Sequence, residues 1–127
     1  MYEEFIRKVI MNHKGNTGTA LDFGAHKGLY TEILADKFTD YYGFEPYPEN
    51  FTHLQDNYKL SNVHFIQKAI GTNDYQEKYH LNDNSAYNSI TYSHSNNRDN
   101  FMVVESTTID TFCKDKSISF IKCDIQG

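Results

Sequence analysis

Asp22, Glu45 and Asp124 are the residues of this chain whose types and spacing could do chemistry together. Asp22 falls in Leu21-Asp22-Phe23-Gly24-Ala25-His26-Lys27-Gly28, where an apolar run meets a glycine-bearing turn and then a helix-forming stretch. Gly24 permits a sharp turn and close approach of a ligand to bare backbone, and Gly28 lets the helix start close to the sheet. The N–H groups at the start of such a helix can hold a carboxylate or a phosphate. The dinucleotide pattern G-x-G-x-x-G is missing, because His26 takes its middle position. A carboxylate at Asp22 would sit poorly beside a pyrophosphate. It suits a ligand carrying an ammonium and a sulfonium. The plainer alternative is a bare strand–helix turn capped by Asp22.

Glu45 ends the next apolar run, and an acid there can accept both hydroxyls of an adenosine ribose. Taken alone, it fits NAD equally well. Pro46 restricts Glu45 to extended backbone, which would hold the carboxylate near a ligand. Asp124 closes the last run. In doubly wound sheets, ligands bind beyond the carboxyl ends of the strands, where strand order reverses. With the order 3-2-1-4, the reversal lies between the strands carrying Asp22 and Asp124. Three acids around one crevice favour a cationic ligand over a phosphate. Asp124 as a helix cap or turn residue is the alternative.

Other reactive side chains offer less. His13, His53, His64, His80 and His94 fall at no metal-ligand spacing, so no metal is expected. Lys27 reads as a solvated side chain and Lys122 as a strand-end flank. Cys113 and Cys123 are too few for a disulfide framework and fit a reducing, cytoplasmic setting. The net charge of −5 argues against a nucleic-acid backbone as partner. No stretch approaches the roughly 20 apolar residues of a membrane helix, so no membrane partner is expected.

The elements that must position the acids alternate. Residues 1 to 13 read as an amphipathic helix, with Tyr2, Phe5, Ile6, Val9 and Ile10 on one stripe. The turn Lys14-Gly15-Asn16-Thr17-Gly18 ends it. Thr19 to Phe23, Tyr41 to Phe44 and Val63 to Ile66 read as strands, Leu29 to Phe38 as a helix, and Pro48 as the first turn of another. Strands alternating with helices predict an α/β fold: a Rossmann-like, doubly wound, mostly parallel sheet. Tyr75 to Leu81 and Phe101 to Val104 read as extended. Asn82 to Asn100 is an Asn- and Ser-rich stretch expected to be a long loop. Thr108 to Cys113 is a short helix, and Ser117 to Cys123 a buried strand. Ending after a fourth main strand would leave the sheet incomplete at the C-terminus, with an open edge that invites self-association.

At these residues the sequence resembles the FkbM-type methyltransferase family. The matching pieces are Leu21 to Gly28, Gly43-Phe44-Glu45-Pro46, Ala69-Ile70-Gly71, Thr107-Thr108-Ile109-Asp110 and Ile121 to Gly127, in order. The resemblance covers about residues 19 to 127, with 75 to 100 contributing little. It implies S-adenosyl-L-methionine as cofactor and methylation of a hydroxyl on a small molecule or sugar. By position, Asp22, Gly24, Ala25, His26 and Gly28 would hold the methionine end and the turn. Glu45, beside Pro46, would bind ribose, and Lys68 to Ile70, including Ala69, would border the adenine. Asp124 would face the reacting end as the catalytic base, with His26 second. His26 stands where Asn is usual, and Gln126 where Glu is frequent. The expected organisation is a single, truncated methyltransferase domain over 1–127. Within it, 1–18 form a helix and turn, 19–70 the cofactor-binding βαβαβ, 71–107 a polar excursion with extended strands, and 108–127 a short helix and final strand. The rival expectations are an NAD-linked oxidoreductase, opposed by the missing glycine pattern, and an inactive or incomplete fragment.

Overall fold

In the computed structural model of the chain, residues 2–12, 16–90 and 100–125 are described. The expectations for His13, Lys14-Gly15, His94, residues 91–99 and Gln126-Gly127 lie outside the described residues. The chain runs α1 (Tyr2–Asn12), β1 (Asn16–Phe23), α2 (Thr31–Lys37), β2 (Phe38–Phe44), α3 (Pro48–Asn57), β3 (Val63–Ile66), β4 (Ala69–Ile70), β5 (Gln76–His80), β6 (Phe101–Thr107), α4 (Ile109–Cys113) and β7 (Ile118–Cys123). A 3₁₀ turn, Ser85–Tyr87, lies between β5 and β6.

The main sheet has the order β3-β2-β1-β7, with every pair parallel. This is the Rossmann-like arrangement expected from the alternation of strands and helices. Ile10, Ala20, Tyr30, Leu34, Ala35, Phe38 and Tyr41 form the core on the α2 side. Leu21, Phe23, Phe44 and Ile70 form the core on the other side, where Phe112 of α4 packs edge-on against Phe44. The strict alternation Ala20/Leu21/Asp22/Phe23 therefore divides β1 between two buried faces.

Several expected boundaries move. β1 begins at Asn16 rather than Thr19, and Phe38 opens β2 instead of closing α2. The reason is pairing: Asn16 is in register with Phe38, and the Phe38 ring packs on Phe120 of β7. Sheet contacts override the helical spacing that Phe38 shares with Tyr30 and Leu34. On α1, Ile10 is buried and Ile6 packs partly, but Phe5, Val9 and Met11 are exposed, so only part of the apolar stripe meets the core. β7 is not buried. Its residues alternate between half-buried and exposed, and Ile121 is 46% exposed. Among the described residues β7 pairs only with β1 and so stands at the edge of the sheet.

After β3, β5 and β6 fall on the expected extended segments Tyr75 to Leu81 and Phe101 to Val104. β5 and β6 pair antiparallel, β4 pairs parallel with β6, and together they make a second sheet. Residues 82 to 90 fold back onto it through a bridge between His80 and Ser89. Asparagine side chains do this work by standing in for backbone acceptors. Asn84 Oδ1 accepts from the Ala86 N–H at 3.0 Å, and Asn88 Oδ1 accepts from the Asn82 N–H at 2.7 Å.

Across the main sheet runs one buried polar knot. The Tyr41 hydroxyl of β2 donates to Asp22 Oδ2 of β1 at 2.8 Å, and Lys122 Nζ of β7 donates to Asp22 Oδ1 at 3.2 Å. Thr31 at the start of α2 bonds the same Tyr41 hydroxyl at 3.0 Å, and Lys122 also lies over the Tyr30 ring. Lys122 is therefore a half-buried partner of the buried Asp22 and not a strand-end flank. Burial pushes the Asp22 carboxyl above the usual carboxylate range, while Lys122 and Tyr41 pull it back. Removing one member of a buried pair leaves an uncompensated charge, which typically costs about 3–5 kcal/mol. Lys122→Met is expected to lose about that much in urea unfolding at pH 8. The loss should shrink as pH is lowered, because without Lys122 burial alone favours the protonated Asp22 carboxyl, and shrink again when Asp22→Asn is added. A cost below about 1 kcal/mol at pH 8 would show that the knot is not structural.

Candidate functional site

The carboxyl ends of β1, β2 and β7 meet at one crevice, as the parallel order requires. It encloses about 510 Å³, its open mouth included. The turn after β1 forms its floor. The N–H groups of Gly24 and Ala25 both donate to the Phe44 carbonyl at 3.0 Å, and Asp124 N–H donates to the Phe23 carbonyl at 3.0 Å. These bonds clamp the ends of the three strands together.

Gly24 has φ +84°, and a Cβ there would run into the Asp124 carbonyl. The bare backbone that the sequence reserves for a ligand is occupied by the chain itself, at Asp124 and Ile125. Gly28, at φ +91°, faces the Tyr58 ring and not the sheet. His26 holds φ +52°, a left-handed conformation uncommon for a residue with a side chain. Two contacts fix it there. Its N–H donates to Glu45 Oε1 at 2.9 Å, and its Nε2 lies 3.0 Å from Ser85 Oγ.

Glu45 is 3% exposed. Its second oxygen accepts from the Tyr47 N–H at 2.9 Å, a bond within the extended turn that Pro46 enforces. Burial outweighs these two N–H bonds and pushes the carboxyl from 4.5 up to about 7. Tyr79, also in the wall, has its hydroxyl raised by burial and by the nearby Glu45 charge.

The structure brings together most of the residues singled out in the sequence. Gly24, His26, Glu45, Pro46, Lys68, Ala69 and Asp124 all line the crevice. Asp22, Ala25 and Gly28 do not. Asp22 has no exposed surface and faces Tyr41 and Lys122 beneath the turn, so it supports the floor from behind. The N–H groups of Gly24, Ala25, His26 and Gly28 all donate to acceptors within the chain. The anion-holding turn expected at the helix start is thereby engaged internally. Tyr79, Ser85, Asn88 and Ile90 join the wall without having been singled out. Tyr79 belongs to an expected extended segment, and the signal for Ser85, Asn88 and Ile90 is only the density of Asn and Ser that also marks a loop. Among the described residues, no group of His, Cys, Asp and Glu could hold a metal ion. No described helix is long and apolar enough to cross a membrane.

The proton on Glu45 has a measurable consequence. The folded chain keeps it up to about pH 7, whereas an ordinary glutamate releases it near 4.5. The stability contributed is full below about pH 4.5 and is lost as pH rises through about 7. The total is on the order of 3 kcal/mol. In denaturant titrations across pH 4 to 8, Glu45→Gln should flatten this fall. A variant with the same pH dependence as the native chain would place the titration elsewhere.

The model of the methyltransferase FkbM domain matches residues 22–127. No curated protein matches the chain. Among solved structures, the chain is similar to a Listeria monocytogenes protein described as an S-adenosylmethionine-dependent methyltransferase. That pair is 24% identical over 53% of this chain and 32% of that one, with a TM-score of 0.46. It is also similar to precorrin 8w decarboxylase of Methanobacterium thermoautotrophicum, at 26% identity over 50% of this chain and 37% of that one, with a TM-score of 0.42. The chain spans about a third of the length of each of these proteins.

Proposed function

The chain belongs to the FkbM methyltransferase family, and from that premise we propose that its crevice binds S-adenosyl-L-methionine for methylation of a hydroxyl on a small molecule or sugar. The observation that carries this reading is the buried carboxylate of Glu45 above a turn whose N–H groups are already engaged. A carboxylate with lone pairs to share accepts a ribose diol. Glu45 and Asp124, with Lys68 as the only cationic side chain in the wall among the described residues, disfavour a pyrophosphate and favour a cation. The residues present therefore fit the nucleoside and sulfonium of this cofactor better than a dinucleotide.

When bound, the cofactor supplies a methyl group on a positively charged sulfur, which is a good leaving group. The chain's own part is to bind and orient. Glu45 holds the ribose, and Lys68 to Ile70 border the adenine. Asp124, at the end of β7, takes the proton from the acceptor hydroxyl, a role typically worth about 10²–10⁴ in rate. Alignment of acceptor and donor in line adds more. Asp22 acts through the floor as a positioning residue. The free thiols of Cys113 and Cys123 support a reducing, cytoplasmic setting.

Isothermal titration of S-adenosylhomocysteine and of NAD into the chain tests the reading. S-adenosylhomocysteine should bind and NAD should not. Affinity should rise from pH 6 to pH 8, because the diol donates to the ionised carboxylate. Glu45→Gln should weaken binding at pH 8 by about 1.5–3 kcal/mol, the usual worth of hydrogen bonds to a charged group, and remove the pH dependence. Preferential binding of NAD would overturn the reading, and so would an affinity indifferent to Glu45.

A further inference from the structure

Tyr79 lies on β5, with its ring in a cluster formed with Ala69 of β4 and Val104 of β6, against which Tyr47 and Ile90 also pack. It is 8% exposed. Packing alone would be served by phenylalanine, because a hydroxyl taken from water costs free energy unless a partner replaces that water. The Tyr79 hydroxyl makes no hydrogen bond within the described residues, and it is not sealed in either: its oxygen keeps some accessible surface. Two observations place that surface. Tyr79 lines the crevice together with Glu45. The Glu45 charge acts on the Tyr79 hydroxyl more strongly than any other charge, ahead of Tyr47. The hydroxyl therefore stands on the crevice side of the ring, near the Glu45 carboxyl but not bonded to it.

Burial and the Glu45 charge both oppose ionisation of this hydroxyl, so it keeps its proton at neutral pH and serves as a donor. A ribose hydroxyl that gives its hydrogen to Glu45 still carries lone pairs on its own oxygen. That oxygen gives up water on entering the crevice, and a donor beside the carboxylate replaces the lost bond. We infer that Tyr79 is a specificity residue of the cofactor site, donating its hydroxyl hydrogen to one of the two ribose hydroxyls that Glu45 holds. The inference rests on the nucleoside reading above and adds a residue to it. Glu45 selects a sugar with hydrogens to give, and Tyr79 selects one with an oxygen at a defined position. A ribonucleoside satisfies both groups. A deoxynucleoside lacking that oxygen leaves the Tyr79 donor unpaired in the wall.

The test titrates S-adenosylhomocysteine and its 2′-deoxy and 3′-deoxy analogues into the native chain and into Tyr79→Phe, which removes the hydroxyl and keeps the ring. Tyr79→Phe should weaken S-adenosylhomocysteine binding about three- to tenfold, the usual worth of a neutral hydrogen bond. One deoxy analogue should bind both chains equally, because the oxygen that receives the bond is gone. The other should keep the full difference between the chains. Unchanged affinity of Tyr79→Phe for S-adenosylhomocysteine would overturn the inference. So would a loss of the same size for all three ligands, which is the mark of a packing role. If Tyr79→Phe fails to fold by circular dichroism, the native chain decides. The NMR resonance of its Tyr79 Cζ carbon should move with S-adenosylhomocysteine and hardly move with one deoxy analogue. Equal movement with all three ligands, or none with the parent, would overturn the inference. Any of these contrary results, with binding still lost in Glu45→Gln, removes Tyr79 alone and leaves the nucleoside reading standing. Failure of the native chain to bind S-adenosylhomocysteine overturns both.

Discussion

The Asp22 carboxylate has no exposed surface, yet it bonds a hydroxyl from one neighbouring strand and an ammonium from the other. Through Tyr41 and Lys122 it ties β1 to β2 and β7, and through Tyr41 and Thr31 it reaches α2. The crevice depends on this constraint because the ends of those three strands form it. Two residues beyond Asp22, Gly24 meets the backbone of Asp124 so closely that no side chain fits. Backbone bonds from Gly24, Ala25 and Asp124 then fix the strand ends against one another. A buried ion pair often costs as much in desolvation as it returns in attraction. Here its consequence is geometric: it sets where the floor of the crevice lies.

The same pairing shapes the electrostatics. Lys122 faces Asp22 and lies over Tyr30, away from the crevice. The crevice is left with the Glu45 and Asp124 carboxylates and with Lys68. Glu45 is held by N–H groups from the floor and from its own turn, but its burial is the larger effect. A ligand whose hydroxyls donate to it would replace part of the water that burial removed. The site is thus arranged to gain from a diol and a cation, which is the chemistry proposed for it.

Much of this was legible in the sequence. The alternation of strand and helix signals, with Glu45-Pro46 and Asp124 at strand ends, fixes a parallel sheet with acids at its carboxyl edge. The order β3-β2-β1-β7 follows the expected 3-2-1-4 arrangement. What could not be read is long-range pairing. Asp22 reads as a ligand contact because it precedes a glycine turn at a strand end; in the fold its cation is Lys122 of β7, almost at the other end of the chain. Phe38 has helical spacing, but its register with Asn16 makes it strand. The Asn82 to Ile90 segment has the composition of a loop, and its order comes from side-chain amides acting as backbone acceptors. Composition records that such residues are polar, but not where their hydrogen bonds go. For that reason Asn88 and Ser85 became visible only in the fold.

The most direct test of the account is a crystal structure of the chain bound to S-adenosylhomocysteine. The account predicts both ribose hydroxyls within about 3 Å of Glu45. It also predicts the adenine between Ala69 and Ile90, with Asp22 still bonded to Tyr41 and Lys122 beneath the turn. A ligand seated away from Glu45, or one whose amino group has drawn Asp22 out of its buried pairing, would contradict it.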